Sequence, residues 1–230
     1  MKRFYTAVSV TQTDEGWQVT LDGRPIRTVG GAPQTVPSAG LARALADEWE
    51  NQSETLDPKT MPRRDMVDYA IDVVAPDRTN VIDNVLAYGD TDTLLYRADP
   101  DEALYNRQLE IWEPIVAAYE AANGVNLVRV SGIVHRPQAP ETFAVLRAKL
   151  ERLNAFELAA IQTMASLAAS LVVALSVQDD HSAETLWQAA CLEEQWQADQ
   201  WGRDEEAEER RAKRTADFLK ACEIRNLACA

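Results

Sequence analysis

This chain carries little that suits redox, metal or disulfide chemistry. Among its 230 residues are only three cysteines and two histidines. Cys191, Cys222 and Cys229 form no CxxC pair. An odd set of thiols fits a reducing compartment, and with only His135 and His181 beside them it argues against a zinc site or a disulfide frame. Nucleotide and hydrolase signatures are missing as well: no GxGxxG after a strand, no GxxxxGK[ST], no HExxH and no GxSxG. The expectation is therefore no catalytic residue, no metal and no cofactor.

Positive charge is also scarce, with 23 Lys and Arg against 37 acids and a net charge of −14. Such a surface repels phosphate backbones and anionic headgroups. That speaks against nucleic acid and membrane surfaces, and for solubility or docking on a basic patch of another protein. The opening MKRFYTAVSV has two basic residues but no apolar signal core, so the chain as written is expected to stay where it is made. One stretch, FELAAIQTMASLAASLVVALSV (156–177), is apolar enough to raise a membrane question. Its bulk is alanine, and Glu157, Gln162, Thr163 and Ser166 interrupt it. It reads as a central helix buried on most sides, its small residues allowing close packing.

What is present is an ordinary globular composition, 46% apolar and 26% charged, in a chain long enough for a sizeable core. From Phe4 to Thr28 the apolar period is two, and Asp22-Gly23 between β-prone runs predicts a hairpin in a small antiparallel meander. The period then changes. Ser38 is placed to cap a helix carrying Leu41, Leu45, Glu48, Trp49 and Gln52. A second helix covers roughly Pro62 to Tyr88, with Pro76 the point at which it could break. DTLLYRA reads as a short buried strand. A helix follows with Asp101 and Glu102 in its first turn and Gly124 just past its end. VNLVRVSGIV (125–134) is strand-like, so strand, helix and strand could form a crossover unit. Everything long after Pro140 is helical in pattern. The expected fold is α+β: an N-terminal two-layer part with the meander over residues 1–135, then an orthogonal all-helical bundle over 136–230.

The segment CLEEQWQADQWGRDEEAEERRAKR (191–214) sets two tryptophans among acids and amides. At 100° per residue, Ala183, Leu186, Trp187, Ala190, Cys191, Ala198 and Trp201 share one arc. Glu194 falls near its middle, Gln197 within it and Glu193 just outside its edge. Two readings stand. In one, the helix packs on both sides and Glu194 is buried and paired, since a buried acid needs a partner. In the other, a carboxylate and its amide neighbour face a groove that engages another protein. The run after Gly202 reads as a solvated helix face with pairs Glu206–Arg210 and Glu209–Lys213. His135, in GIVHRPQAP, is the one candidate general base, with no nucleophile or metal cluster near it in sequence; His181 reads as a residue at a helix start.

Taken together, RFY, LDGRPIRT, ADEWENQ, MP…AID, RQLEIWEP, LAAIQTMASLAASLVVAL and LEEQWQADQWGRDEEA occur in the order and at the spacing of one family. The chain resembles the ATP-twelve family of assembly chaperones for the alpha subunit of the F-type ATP synthase catalytic head. That resemblance, which spans nearly the whole chain, implies a non-catalytic protein that binds free alpha subunit and shields its beta-facing surface until beta replaces it. It maps the family's C-terminal signature onto Glu193, Gln197, Trp201 and Gly202, with Glu205 following and Glu194 adjacent. Matching structural positions are Asp22, Gly23, Arg24, Pro25, Glu48 and Trp49, then Arg107, Gln108, Trp112 and Pro114. A bacterial member acting in the cytoplasm is the corresponding expectation: a monomer with no nucleic acid and no membrane insertion. The competing readings are a scaffolding or adaptor protein unrelated to ATP synthase, and a hydrolase using His135.

Overall fold

The computed structural model describes residues 1–132, 134–178 and 180–229, with backbone only at 180 and 181. The chain forms two compact units. Unit 1 comprises Met1–Arg78, Leu153–Ala160 and Glu223–Ala230; unit 2 comprises Thr79–Arg152 and Ile161–Cys222. Residue 135, at the expected domain boundary, lies within unit 2.

In unit 1 the strands β1 (Val8–Thr13), β2 (Gly16–Leu21), β3 (Arg24–Pro25) and β4 (Thr35–Val36) form the antiparallel meander, with β2 paired to each of the others. Asp22 and Gly23 have φ of 50° and 76°, the pair of positive values that a tight turn between right-twisted strands demands. Helix α1 (Ala39–Glu50) begins where Ser38 accepts a hydrogen bond from the Leu41 amide, as its sequence position predicts. The Ser38 hydroxyl also donates to the Leu227 carbonyl at 2.6 Å. Leu41, Ala42 and Leu45 pack with Val19, Leu21, Val36, Val67 and Ile224 in the core of this unit.

The helix expected over residues 62–88 is broken as Pro76 suggested. Helix α2 (Pro62–Tyr69) widens into a π-turn (Ala70–Val74), and α3 (Arg78–Asp90) starts afresh. Proline brings no amide and so cannot continue the ladder. The buried carboxylate of Glu48 accepts the Arg63 and Arg64 amides, both at 2.9 Å, satisfying the first free donors of α2. Beyond it, Asp72 takes the Thr28 hydroxyl (2.7 Å) and the Gly30 amide (2.8 Å). A Cβ at Gly30 would stand 2.7 Å from that carboxyl, so any side chain there would push Asp72 aside.

In unit 2 the short strands β5 (Tyr96–Arg97) and β6 (Val130–Ser131) pair in parallel on either side of α4 (Ala103–Asn123), which is the anticipated crossover. Two details differ from expectation. The helix α4 begins at Ala103, so Asp101 and Glu102 precede it; the Glu102 carboxylate reaches back to the Asp99 amide instead of entering the first turn. Most of 125–134 is not strand, because side chains serve its backbone: Glu120 accepts the Leu127 amide, and the Gln138 amide group bonds both N–H and C=O of Val128. Gly124 ends α4 in the left-handed conformation, as its position predicts.

The remaining elements are all helices: α5 (Pro140–Arg152), α6 (Ala155–Ala168), α7 (Leu171–Ser176), α8 (Asp180–Ala190), α9 (Leu192–Trp201) and α10 (Glu205–Ala228). His181 lies at the start of α8, as expected; its neighbour Asp179 is outside the described residues. The apolar stretch 156–177 is mostly buried, but as two helices broken at Ala169 and Ser170. No helix among the described residues is long and apolar enough to cross a membrane. At the break, the fully buried Asp92 accepts the Leu94 and Val172 amides at 3.0 and 2.9 Å, while Ser170 caps α7 through the Val173 amide. Together these elements give the α+β fold anticipated from the change of period.

Candidate partner-binding site

Two residues of α4 set the geometry of the C-terminal signature. Trp112, fully buried, donates its indole N–H to the Ala189 carbonyl at 2.7 Å, which satisfies an acceptor in the last turn of α8. One turn earlier, Gln108 accepts the Ala98 amide (2.9 Å) and donates to Glu193 Oε1 (2.7 Å). The two motif residues, four apart and therefore on one helix face, tie α4 to the α8–α9 junction.

That junction overturns the single-wheel reading of 183–201. Cys191, at φ −87° and ψ 6°, separates α8 from α9, so the phase set by α8 does not carry into α9. The consequence is an exchange of roles. Glu193, placed by the wheel at the rim, is half-buried and bonded to Gln108; burial pushes its carboxyl above the usual range, against the opposing pull of that bond. Glu194, placed by the wheel in the apolar arc, is exposed. It is paired, but with Arg214 at 2.6 Å in the open. Arg214 also donates to the Leu167 carbonyl and lies over the Trp187 ring, 5.4 Å from its centre. Trp187 in turn donates to Thr215 (2.8 Å) and stacks on Phe218.

Trp201 is the last residue of α9, and its indole is 87% exposed. Gly202 follows at φ 96° and ψ 162°, a combination available essentially only to glycine, and its amide closes on the Ala198 carbonyl at 3.0 Å. Asp204 then caps α10, its carboxylate accepting the Ala207 amide at 3.0 Å, with Glu205, Glu206 and Glu208 in the first turn where the helix dipole favours acids. Between α9 and α10 lies a groove of about 580 Å³, lined by Glu194, Gln197, Trp201, Gly202 and, from α10, Arg210, Arg211 and Arg214 among others. Of the signature residues, the structure brings Glu194, Gln197, Trp201 and Gly202 to this groove; Glu193 is half-buried against Gln108, and Glu205 is exposed at the start of α10. The Glu206–Arg210 pair forms at 2.6 Å, whereas Glu209 and Lys213 are not so paired. Reasoning on one continuous wheel missed the arginines of α10, which the break after Trp201 folds back beside Glu194.

The N-terminal motif is structural in geometry. The Asp22 carboxylate accepts the Thr6 and Ala7 amides and the Thr6 hydroxyl, and these bonds, the Ala7 amide foremost, hold its pKa below the usual range. Arg24 and Pro25 form the exposed β3. Tyr5 donates its hydroxyl to the Trp49 carbonyl at 2.6 Å.

His135 is not alone. Its Nδ1 lies 2.7 Å from the Tyr96 hydroxyl and its Nε2 3.4 Å from Asp90 Oδ2. Asp90 Oδ1 also takes the Gln138 amide. These contacts fasten the 134–139 loop to α3 and β5 and give the candidate general base a phenol and a carboxylate as neighbours. Among the described residues no cluster of His, Cys, Asp and Glu is arranged to hold a metal ion.

Comparison with known proteins agrees with this architecture. The family model described as ATP12 chaperone protein matches residues 2–120. The mitochondrial protein atp12 of Schizosaccharomyces pombe is 28% identical over 204 residues, covering 83% of this chain and 70% of its own length. The crystal structure of Atp12 from Paracoccus denitrificans is 36% identical and superposes with a TM-score of 0.93 over 99% of this chain and 98% of its own. The Atu1473 protein of Agrobacterium tumefaciens is 38% identical, with a TM-score of 0.92 over 98% of this chain and 85% of its own. The family match ends before α5, but the structural likeness runs through α9 and α10. The chain belongs to the ATP12 chaperone family.

Proposed function

We propose that this ATP12-family chaperone acts in ATP synthase assembly by binding the free alpha subunit of the catalytic head and shielding the surface that alpha later offers to beta. The observation that carries the reading is Trp201, an almost fully exposed residue at the end of α9 beside a charged groove. Tryptophan is among the residues that most often anchor interfaces once a partner covers them. Around it, Glu194 and Gln197 offer polar contacts that fix register, and the α10 arginines offer a counter-charge. A net charge of −14 keeps the free chaperone soluble and steers it toward basic client surface.

The physical task fits. An unassembled subunit exposes apolar surface destined for burial, and such surface aggregates. A chaperone for it needs an interface that beta can displace, which favours a few anchors over a large apolar patch. The protein works as a monomer in the bacterial cytoplasm, with Glu194 rather than Glu193 as the partner-facing acid. The test is the light scattering of alpha subunit diluted from denaturant. An equimolar amount of this protein suppresses the scattering; an unchanged aggregation rate at tenfold excess overturns the proposal.

A further inference from the structure

The outer edge of β1 is open. Thr13 and Gly16 flank the two-residue turn Asp14-Glu15 and so form a hydrogen-bonded pair, and alternation along the ladder makes Thr11–Gln18 and Ser9–Thr20 the next ones. The bond from the Asp22 amide to the Ala7 carbonyl, 2.9 Å, continues the same phase. Val8, Val10 and Gln12 therefore direct both backbone N–H and C=O away from β2. Among the described residues no group meets them, since β2 is the only strand paired with β1.

Exposed edges are ordinarily blunted by charge, proline or a bulge. This one, VSVTQT, has no charge and no proline, and its register with β2 is unbroken over six residues. The core also stops short there. Val19 and Leu21 are buried, while Val10 and Val8, directly opposite them, are only half-buried. A strand added outside β1 would supply six backbone bonds and cover those two valines.

We propose that the β1 edge binds an extended segment of the client polypeptide as an added strand. The segment is about five residues long, the usual strand length, free of proline at pairing positions, and β-branched on the side facing Val8 and Val10. It carries a basic residue at the end that lies beside Asp14 and Glu15. A second copy of this chain is the weaker occupant on two counts. An edge of six residues, roughly 20 Å, is far too small for the roughly 1,200 Å² that a stable pair buries. Two bodies of net charge −14 also repel each other. A client already held elsewhere needs no such area, because the second contact is then intramolecular.

This inference rests on the alpha subunit being the client, and the experiment separates the two. Amide hydrogen exchange is measured on the full chain, free and saturated with purified alpha subunit. In the complex the Val8, Val10 and Gln12 amides slow at least tenfold, while those of Ser9 and Thr11 are protected in both states. Gln12→Pro, which removes only an outward N–H, lowers alpha affinity about tenfold and leaves the thermal midpoint within a few degrees. Thr11→Pro, which breaks a bond to β2, lowers that midpoint clearly. If alpha binds tightly but the three amides exchange at the free rate, the inference is overturned and the proposed function stands. Absence of any alpha binding overturns both. Protection that appears without alpha and grows with chaperone concentration assigns the edge to a second copy and also overturns the inference.

Discussion

Trp201→Ala separates the proposed binding surface from the fold. In the free protein the side chain is 87% exposed, so truncation removes almost no intramolecular packing. Surface changes of this kind fall within about 0.5 kcal/mol of wild type, and the backbone turn that follows is set by Gly202. The partner sees a larger difference. An indole buries about 200 Å² on docking, which at about 25 cal/mol per Å² is about 5 kcal/mol before ordering and desolvation are subtracted. The net loss for such an anchor is about 2–3 kcal/mol, or about 30- to 150-fold in Kd. Thermal melting followed by circular dichroism and titration calorimetry with purified alpha subunit measure the two halves. An unchanged midpoint with alpha affinity reduced about 30-fold or more is the expected pair of results. Unaltered affinity would show that Trp201 in the α9–α10 groove does not dock the alpha subunit.

Other outcomes follow from the same contacts. Glu193→Lys destabilises the fold by about 1–3 kcal/mol, because the buried Gln108 amide loses its acceptor; Glu194→Lys leaves the melting midpoint near wild type and weakens alpha binding, and the reverse pattern would restore the roles assigned by the wheel. Gly202→Ala forces a residue with a Cβ to φ 96° and costs about 1–3 kcal/mol, read as a lower urea midpoint. Burial pushes Asp92 up to about 6, against the pull of the amides it accepts. Its folded pKa thus exceeds its unfolded one, so its contribution to stability is complete below about 4 and is lost as pH rises through 6, at up to about 1.4 kcal/mol per pH unit. Urea titrations from pH 4 to 7 show that slope diminished in Asp92→Asn; an identical profile in the variant rules out Asp92 as its source.

How much of this was legible in sequence depends on the range of the interaction. Ser38, Asp22-Gly23, Gly124 and Pro76 act through their own backbone or the nearest turn, and each does in the structure what its position predicts. The strand–helix–strand order around α4 led correctly to a parallel pair. Readings that presumed continuity failed where distant side chains interrupt it. Glu120 and Gln138 satisfy backbone that would otherwise extend a strand, and Gln138 has no periodicity to announce it. The junction at Cys191 likewise reverses which glutamate faces inward, since the wheel had no knowledge that Trp112 and Gln108 fasten it from α4. The residues of the family motif nevertheless lie near one another: Gln197, Trp201 and Gly202 share one groove, and Gln108 and Trp112 fasten the α8–α9 junction that precedes it.

In the proposed function this chaperone occupies the alpha surface destined for beta. The most direct measurement is size-exclusion chromatography of a preformed complex with alpha subunit, challenged with an excess of purified beta. Alpha then moves into alpha–beta assemblies while the chaperone elutes alone. A stable species containing all three chains would contradict it.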